Sequence, residues 1–530
     1  MAMDSAGLKE HIERGWPGQA RCRLDPEQRV NEVSCERGAL AALCRDLFHE
    51  CGLAFAGLVV EEGEHEWRLR YLFYGGRETG WVHLLVTAPI DEKLFPSIAV
   101  QARVFAADWH EREAEDMFGV RFEGHPRLGD FVLHDDAWQE GVEPMRHGFD
   151  AQAALRERRP RPDWRPRRVV QESGAFLMPV GPKFSGVTES VHFQLETVGE
   201  DVIRSWTRLF YKWRAIEKLA EGKPVEDALL LAERFAATTA FAHGLAFCQA
   251  VEAIAGAAVP PRAKALRAFL AELERLRQHA GAIEEICEST ALVVATSQAG
   301  MLEEALLRIS GALAGHRYLF GLLAPGGLAR DLPNEACGRA LSDAARVVTK
   351  LDALERRLAI SSSFLDRIEE VGVIFPRTAV AYSLVGPVAR GSGLARDLRQ
   401  AQPYCGYEAY AFDVPVEQEG DGYARLRVLF AEARQSLRIM QQAARALAAG
   451  DVITKAEPRP GTALGWVEAP RGATFHWVRL DEGGQVARYR IITPSFVNWH
   501  SFHLAAEKFA FQDFPIILST FDLSAAENDR

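Results

Sequence analysis

The period of apolar and polar positions changes along this chain, and the changes divide it. Up to about residue 130, a short helical segment, ERGALAALCRDLFHECG, is followed by alternating stretches such as EWRLRYLFYGG and GWVHLLVTAPI. Helix and strand periods in quick succession predict a small α+β domain. From roughly 224 to 370 the period is helical, with long amphipathic segments such as PPRAKALRAFLAELERLRQHAGAIEEICEST and LSDAARVVTKLDALERRLA. Pro260 and Pro261 suit the first turn of a helix whose interior, Ala263 to His279, holds no breaker. The glycines of LVGPVARGSGLARDLR, residues 384–399, interrupt the helices, and DGYARLRVLFAEARQSLRIMQQAARALAAGD restores one that stops near Gly450. The last part, GTALGWVEAPRGATFHWVRLDEGGQVARYRIITPSF, is strand material with turn signals at Pro470 to Gly472 and Glu482 to Gly484.

Three stretches complicate this pattern. ADWHEREAEDMFGVRFEGHPRLGDFVLHDDAW is dense in Trp, His, acids and glycine, and reads as a segment that docks on something. RERRPRPDWRPRR, residues 156–168, reads as a solvated linker held extended by proline and charge repulsion. LAERFAATTAFAHGLAFC, residues 231–248, reads as one small-residue helix carrying Glu233, Arg234 and His243. The expected fold class is therefore α+β: a small α+β domain over 1–150, an Arg/Pro-rich linker over 151–177, and a mainly helical domain with a small sheet over 178–530.

Composition removes several function classes. With 530 residues the chain exceeds a single hydrophobic core, and 48% hydrophobic with 25% charged residues is ordinary for a globular protein. Its apolar runs, such as ALVVATSQAG at 291–300, are too short or too polar to cross a bilayer, and its start does not resemble a secretory signal. A cytoplasmic location is expected. The net charge of -11 argues against nucleic acid as a partner, because phosphate binding needs a concentrated positive field. Eight scattered cysteines contain no CxxC pair, so no zinc ribbon or cysteine-held iron-sulfur cluster is expected within this chain.

Few residues announce chemistry by themselves. GSG at 391–393 matches neither dinucleotide nor P-loop spacing, and GPVARGSGLARD reads better as a tight crossing with ion pairs through Arg390, Arg396, Asp397 and Arg399. Glu217 is either a solvated helix residue or, if buried, a proton relay. Arg471 suits an anionic ligand, or Glu468 close by. His243 needs partners converging from elsewhere before it can hold a metal.

Longer motifs are more specific. WHEREAEDMFGVRFEGHP, residues 109–126, resembles the signature of the 30 kDa (C) subunit of NADH:quinone oxidoreductase, respiratory complex I. From about 178 onward, RLFYKWRAIEKLAE, VPPRAKALRAFLAELERLRQHA, GPVARGSGLARDLRQAQPY, YAFDVPVEQEGDGYARL and GWVEAPRG resemble the 49 kDa (D) subunit and the large subunits of group 4 membrane-bound [NiFe] hydrogenases of the formate hydrogenlyase type. In active members of the hydrogenase branch, RxCGxC and DPCxxC stretches supply four nickel thiolates. The resemblance places Ala236, Thr239, Ser524 and Glu527 at those positions, so no nickel-iron centre and no other cysteine-held cofactor is expected. The AENDR ending resembles the tail of the 49 kDa (D) relatives, which implies no metal-triggered cleavage.

Departures from complex I are also implied. Phe184 falls where the 49 kDa relatives have their quinone-head histidine, Leu231 where they have their quinone-binding tyrosine, and Trp213 to Ala215 where they have HRG. Glu217, Arg471, His243 and Asp522 are the pocket residues that the resemblance retains. The implied role is a peripheral-arm subunit in electron transfer coupled to ion translocation, on the cytoplasmic face of the membrane. Its implied partners are a small iron-sulfur subunit with a [4Fe-4S] cluster and the membrane-arm subunits. Hydrogenase activity is not expected. Quinone and NAD binding come with the family; since no dinucleotide fingerprint occurs here, NADH chemistry falls to other subunits. Two alternatives stand: quinone reduction in a non-standard pocket, or a structural scaffold whose pocket is filled by Phe184, Trp213 and Phe235.

Overall fold

The computed structural model describes residues 3–25, 30–159, 161–166, 168–171, 173–184 and 189–530. Pro160 and Arg167 of the Arg/Pro stretch and Ser185 of GPKFS lie outside them.

Strands β1 (Ala20–Asp25), β2 (Val30–Cys35), β3 (Ala54–Glu62), β4 (Glu66–Tyr74) and β5 (Trp81–Pro89) form one sheet in the order β1-β2-β5-β4-β3. β2 and β5 are parallel; the other pairs are antiparallel. Helix α1 (Ser5–Gly15) starts at Asp4, whose carboxylate accepts the Gly7 N–H at 2.8 Å, and it buries Leu8 and Ile12. The ERGALAALCRDLFHECG segment is helical but not uniform: a 3₁₀ turn, then α2 (Leu40–Arg45), then a π turn over Asp46–Glu50. The WHERE motif lies on α3 (Asp108–Phe118), a helix with nine buried residues despite its charges. It does dock, and the surface it docks on belongs to the same chain.

The second part opens with β6 (Ala175–Val180), β7 (His192–Val198) and β8 (Asp201–Arg208), which form a small antiparallel sheet with the short strand Phe509–Ala510. Helices α4 (Ile216–Ala220), α5 (Val225–Arg234), α6 (Ala240–Ala255), α7 (Pro261–Ser289), α8 (Val293–Ala314) and α9 (Asn334–Leu358) follow. Pro261 sits in the first turn of α7, as its position before an unbroken run predicts. Then come α10 (Gly422–Arg445), the three-stranded sheet β9 (Gly461–Ala469), β10 (Gly472–Leu480) and β11 (Val486–Ile492), and α11 (Pro494–Ala505) and α12 (Phe514–Phe521). Both predicted turns join those strands, with Pro470 and Arg471 at the first hairpin tip. α7 is buried along most of its length between α8 and α10.

Two sequence expectations change. The LAERFAATTAFAHGLAFC segment is not one helix: α5 ends at Arg234, a 3₁₀ turn spans Ala237–Thr239, and α6 begins at Ala240. Tertiary partners hold the break. Arg214 Nη1 donates to the Phe235 carbonyl at 2.8 Å, and the Glu274 carboxylate on α7 accepts the Phe241 and Ala242 N–H groups at 2.8 and 3.0 Å. The Arg/Pro stretch, expected to be solvated, is partly packed. After a helix over Ala151–Arg156, Arg161 pairs with Asp135 at 2.9 Å, and Trp164 donates to Asp130 at 2.9 Å beneath the Arg208 guanidinium.

The two parts share their cores. One cluster joins Phe55, Trp109 and Phe131 to Phe193, Phe496 and Trp499, and a smaller one sets Tyr74 and Trp81 of the first sheet against Phe475 and Trp477 of β10. Among the described residues, no helix is long and apolar enough to cross a membrane.

Candidate functional site

The Arg471 hairpin tip is held by a close crossing. Gly386 has φ 67°, and a Cβ there would lie 2.0 Å from the Arg471 carbonyl oxygen, so the GPVARGSG stretch reaches the tip only with glycine at this position. Behind it lie the predicted ion pairs. Arg390 meets Glu468 at 2.8 Å and also Glu432, and Arg399 meets Asp397 at 2.6 Å and Glu272 at 2.9 Å, all buried. Glu468 is thus engaged elsewhere, and Arg471 does not pair with it as its sequence proximity suggested. Arg396 contributes its backbone carbonyl, which accepts from Arg390 at 2.9 Å.

Arg471 instead turns to the end of the chain. Its Nε donates to the Asp522 carbonyl at 2.7 Å, Nη2 to the Asp522 carboxylate at 3.2 Å, and Nη1 to Thr238 Oγ1 at 3.0 Å and Glu527 at 3.3 Å. Asp522, at the left-handed C-cap of α12, also accepts from Gln278 at 2.9 Å. Burial opposes the charge on Arg471, but Asp522 and Glu527 more than offset it and raise its pKa.

Glu527 is fully buried and well supplied with donors: Ser495 Oγ at 2.6 Å, the Ser495 N–H at 3.2 Å and Thr239 Oγ1 at 3.0 Å. His243 Nε2 lies 3.8 Å away. Burial alone pushes the carboxyl up, yet His243, Arg471 and Ser495 hold it down at about 2. Ser524 Oγ donates to Glu189 at 2.9 Å, and the Ala525 N–H bonds the same carboxylate.

A line of rings leads inward from Glu527. His243 Nδ1 is 3.1 Å from His476 Nε2, and His476 Nδ1 is 2.6 Å from the Tyr489 hydroxyl. Burial, with His243 beside it, holds His476 well below its ordinary pKa and so neutral, while burial and then Glu217 raise Tyr489. One assignment gives every bond a proton: Tyr489 donates to His476, His476 to His243, and His243 Nε2–H faces Glu527. Phe235 closes the side of this line, its ring centroid 4.5 Å from that of His243.

Glu217 lies on the other side of β11. Its Oε1 accepts the Ile491 N–H at 2.9 Å, Arg490 at 3.2 Å and Arg530 at 3.3 Å, and its Oε2 faces Arg488 at 3.4 Å. Arg490 and Arg530 continue to Glu113 of the WHERE helix at 2.6 and 2.9 Å, which holds Glu113 at about 2 against the effect of burial. Between these groups is a void of about 20 Å³, room for one water, lined by His110, Trp213 and Met145 among others.

The structure thus gathers Arg471 and His243 around Glu527, with Asp522 held on Arg471, and places Glu217 in a neighbouring ion cluster reached through β11. Of the three residues expected to fill the pocket, Phe235 is buried, and Trp213 is half-buried on the wall of the small void. Phe184 is 38% exposed, because it folds over Gly181 at the surface, and so plugs nothing. Ala215, where the resemblance expects glycine, has φ 54°, a conformation that glycine adopts more easily. Sequence reasoning missed His476, Tyr489, Ser495, Glu189 and the pair Arg488 and Arg490. Period-two alternation in VARYRII, which sets both arginines on one face of β11, was the available signal for that pair.

These features define a class: two joined domains, one built on a five-stranded sheet and one mainly helical, with a buried polar site where the tail of the chain meets a hairpin tip. The family described as the respiratory-chain NADH dehydrogenase 30 Kd subunit matches residues 33–154, and the one described as the 49 Kd subunit matches 293–460 and 453–530. Formate hydrogenlyase subunit 5 of Escherichia coli (strain K12) is 30% identical over 456 residues, covering 85% of this chain and 79% of that one. The C/D subunit of the NADH-quinone oxidoreductase of Bdellovibrio bacteriovorus is 28% identical, covering 80% and 81% respectively. Hydrogenase-4 component G of Escherichia coli is 29% identical, covering 86% and 79%. The chain belongs to the family of respiratory NADH dehydrogenase 30 kDa and 49 kDa subunits and their formate hydrogenlyase and hydrogenase-4 relatives.

Proposed function

We propose that this chain is a peripheral-arm subunit of a membrane oxidoreductase complex related to complex I and the group 4 hydrogenases, and that its polar site handles protons rather than nickel. The observation that carries the site reading is the 3.0 Å bond from Thr239 Oγ1 to Glu527, made between two positions that the family resemblance gives to nickel thiolates. A nickel-iron centre needs soft sulfur ligands. Here the four positions offer a methyl group, two hydroxyls and a carboxylate, and those oxygens are already bonded to Glu189, Ser495 and Arg471. The residues do not fit such a centre.

What they support is proton handling. The donor line from Tyr489 through His476 and His243 points at Glu527, and Glu217 stands across β11 beside a water-sized void. In this reading a proton entering at Tyr489 passes by His476 and His243 to the Glu527 carboxylate, each group taking up one proton as it releases another, when a change at an adjacent redox partner weakens the hold of Arg471 on Glu527. The complex is proposed to sit on the cytoplasmic face of the membrane. It would include a small subunit with a [4Fe-4S] cluster, membrane-arm subunits and a quinone-class acceptor.

Isolation of the intact complex from native membranes, with its components identified by mass spectrometry and its metals quantified, tests the assignment. A small iron-sulfur subunit and membrane subunits are expected to copurify without stoichiometric nickel; one nickel per chain overturns the site reading. In the same complex, Glu217→Gln is expected to lower coupled turnover by about a hundredfold, the scale of a lost acid-base group. Unchanged turnover removes Glu217 from the proton route.

A further inference from the structure

Away from this site, three side chains of metal-ligating type meet in the N-terminal domain. His11 comes from α1, and Asp46 and Cys51 from the two ends of the π turn after α2. Their ligand atoms all lie within 4.8 Å of one another. Two of them address one oxygen: His11 Nε2 is 2.7 Å from Asp46 Oδ2, and the Cys51 thiol donates to that same Oδ2 across 3.7 Å.

The convergence depends on the backbone. Cys51 N–H bonds the Asp46 carbonyl at 2.9 Å, closing a five-residue turn. In an ordinary α-helix, side chains five residues apart are about 140° apart around the axis, and the wider π turn returns them to one side. Such turns concentrate at functional positions. The Trp16 ring braces His11 from 6.4 Å, and the side chains of His11 and Asp46 keep 36% and 18% of their surface, so one side of the group stays open to water. The thiol of Cys51 gives up its proton when a cation takes its place.

We propose that His11 Nε2, Asp46 Oδ2 and Cys51 Sγ bind one zinc-class divalent cation, with water as the fourth ligand. Nitrogen, oxygen and sulfur donors together suit zinc and disfavour calcium or magnesium, which prefer oxygen alone. With metal bonds of about 2.0–2.3 Å, tetrahedral ligand atoms stand roughly 3.3–3.8 Å apart. The cysteine-to-aspartate spacing of 3.7 Å already matches, and the histidine-to-aspartate contact of 2.7 Å has to open. On binding, Cys51 loses its proton to solvent, and His11 binds through the Nε2 lone pair as its Nδ1–H tautomer. The ion would tie α1 to the π turn.

The full chain, stripped with EDTA, tests this by calorimetric titration with ZnCl2 and by absorption with CoCl2. Expected are one zinc per chain and a near-ultraviolet thiolate-to-cobalt charge-transfer band that Cys51→Ser abolishes. Asp46→Asn and His11→Ala are expected to weaken zinc binding by at least about tenfold, the loss that even an outer-shell partner causes. No zinc uptake by the wild-type chain, or a band that persists in Cys51→Ser, overturns the proposal. If Cys51→Ser does not fold, as read by circular dichroism, Asp46→Asn decides, because it keeps the side-chain shape; unchanged zinc affinity in that variant also overturns it.

Discussion

Glu527 joins a hydroxyl, an imidazole and a guanidinium in one buried cluster, so its charge is the residue-level feature with the clearest consequence. Its carboxyl is lowered from an ordinary 4.5 to about 2 in the folded chain. A depressed folded pKa contributes stability that is present above about pH 4.5 and lost as the pH falls from there toward 2, amounting to about 3 kcal/mol at most. Glu527→Gln keeps the shape and removes that charge. Urea unfolding is expected to show a loss of about 1–3 kcal/mol at pH 7 and a flatter acid limb between pH 4.5 and 2. An acid limb identical to that of the unsubstituted chain contradicts the assigned role. That a threonine stands at 239 and a glutamate at 527 is read directly from the sequence. The bond between Thr239 and Glu527 is not, because it joins residues 288 apart in the chain.

Elements were legible where the pattern was long. α7 and α10 follow from unbroken amphipathic runs, and the final hairpins follow from alternation and turn residues. The break between α5 and α6 was not legible, since alanine favours helix and the groups that end and restart the helix, Arg214 and Glu274, come from other segments. One element contact yields a prediction. α6 lies so close on β9 that a Cβ at Gly465 would fall 1.9 Å from the Ala246 carbonyl oxygen. Because the obstacle is helix backbone, Gly465→Ala is expected to destabilise the chain by about 1–3 kcal/mol or more. Thermal unfolding checks this; an unchanged midpoint would mean that helix and sheet can separate at no cost.

At the scale of the whole molecule, the two family-like parts are bound by ions as well as by shared core. Glu113 on α3 meets Arg490 and Arg530 from the other part, all of them buried. Removing one member of a buried ion cluster leaves the others uncompensated, at a cost of about 3–5 kcal/mol. Glu113→Gln is therefore expected to lower the unfolding midpoint and to split one calorimetric transition toward two. A single transition at the original midpoint would show that the aromatic and aliphatic contacts between the parts suffice alone. The sequence by itself determined the α+β class, the order of the long elements and the family, because each of these is written in local pattern or residue identity. Only the tertiary structure decided that His476 and Tyr489 extend His243 into a line, that Arg471 turns to Asp522 and Glu527, and that the WHERE helix closes the Glu217 cluster. Those contacts join residues far apart in the chain, and long-range packing, rather than local propensity, brings them within hydrogen-bonding distance.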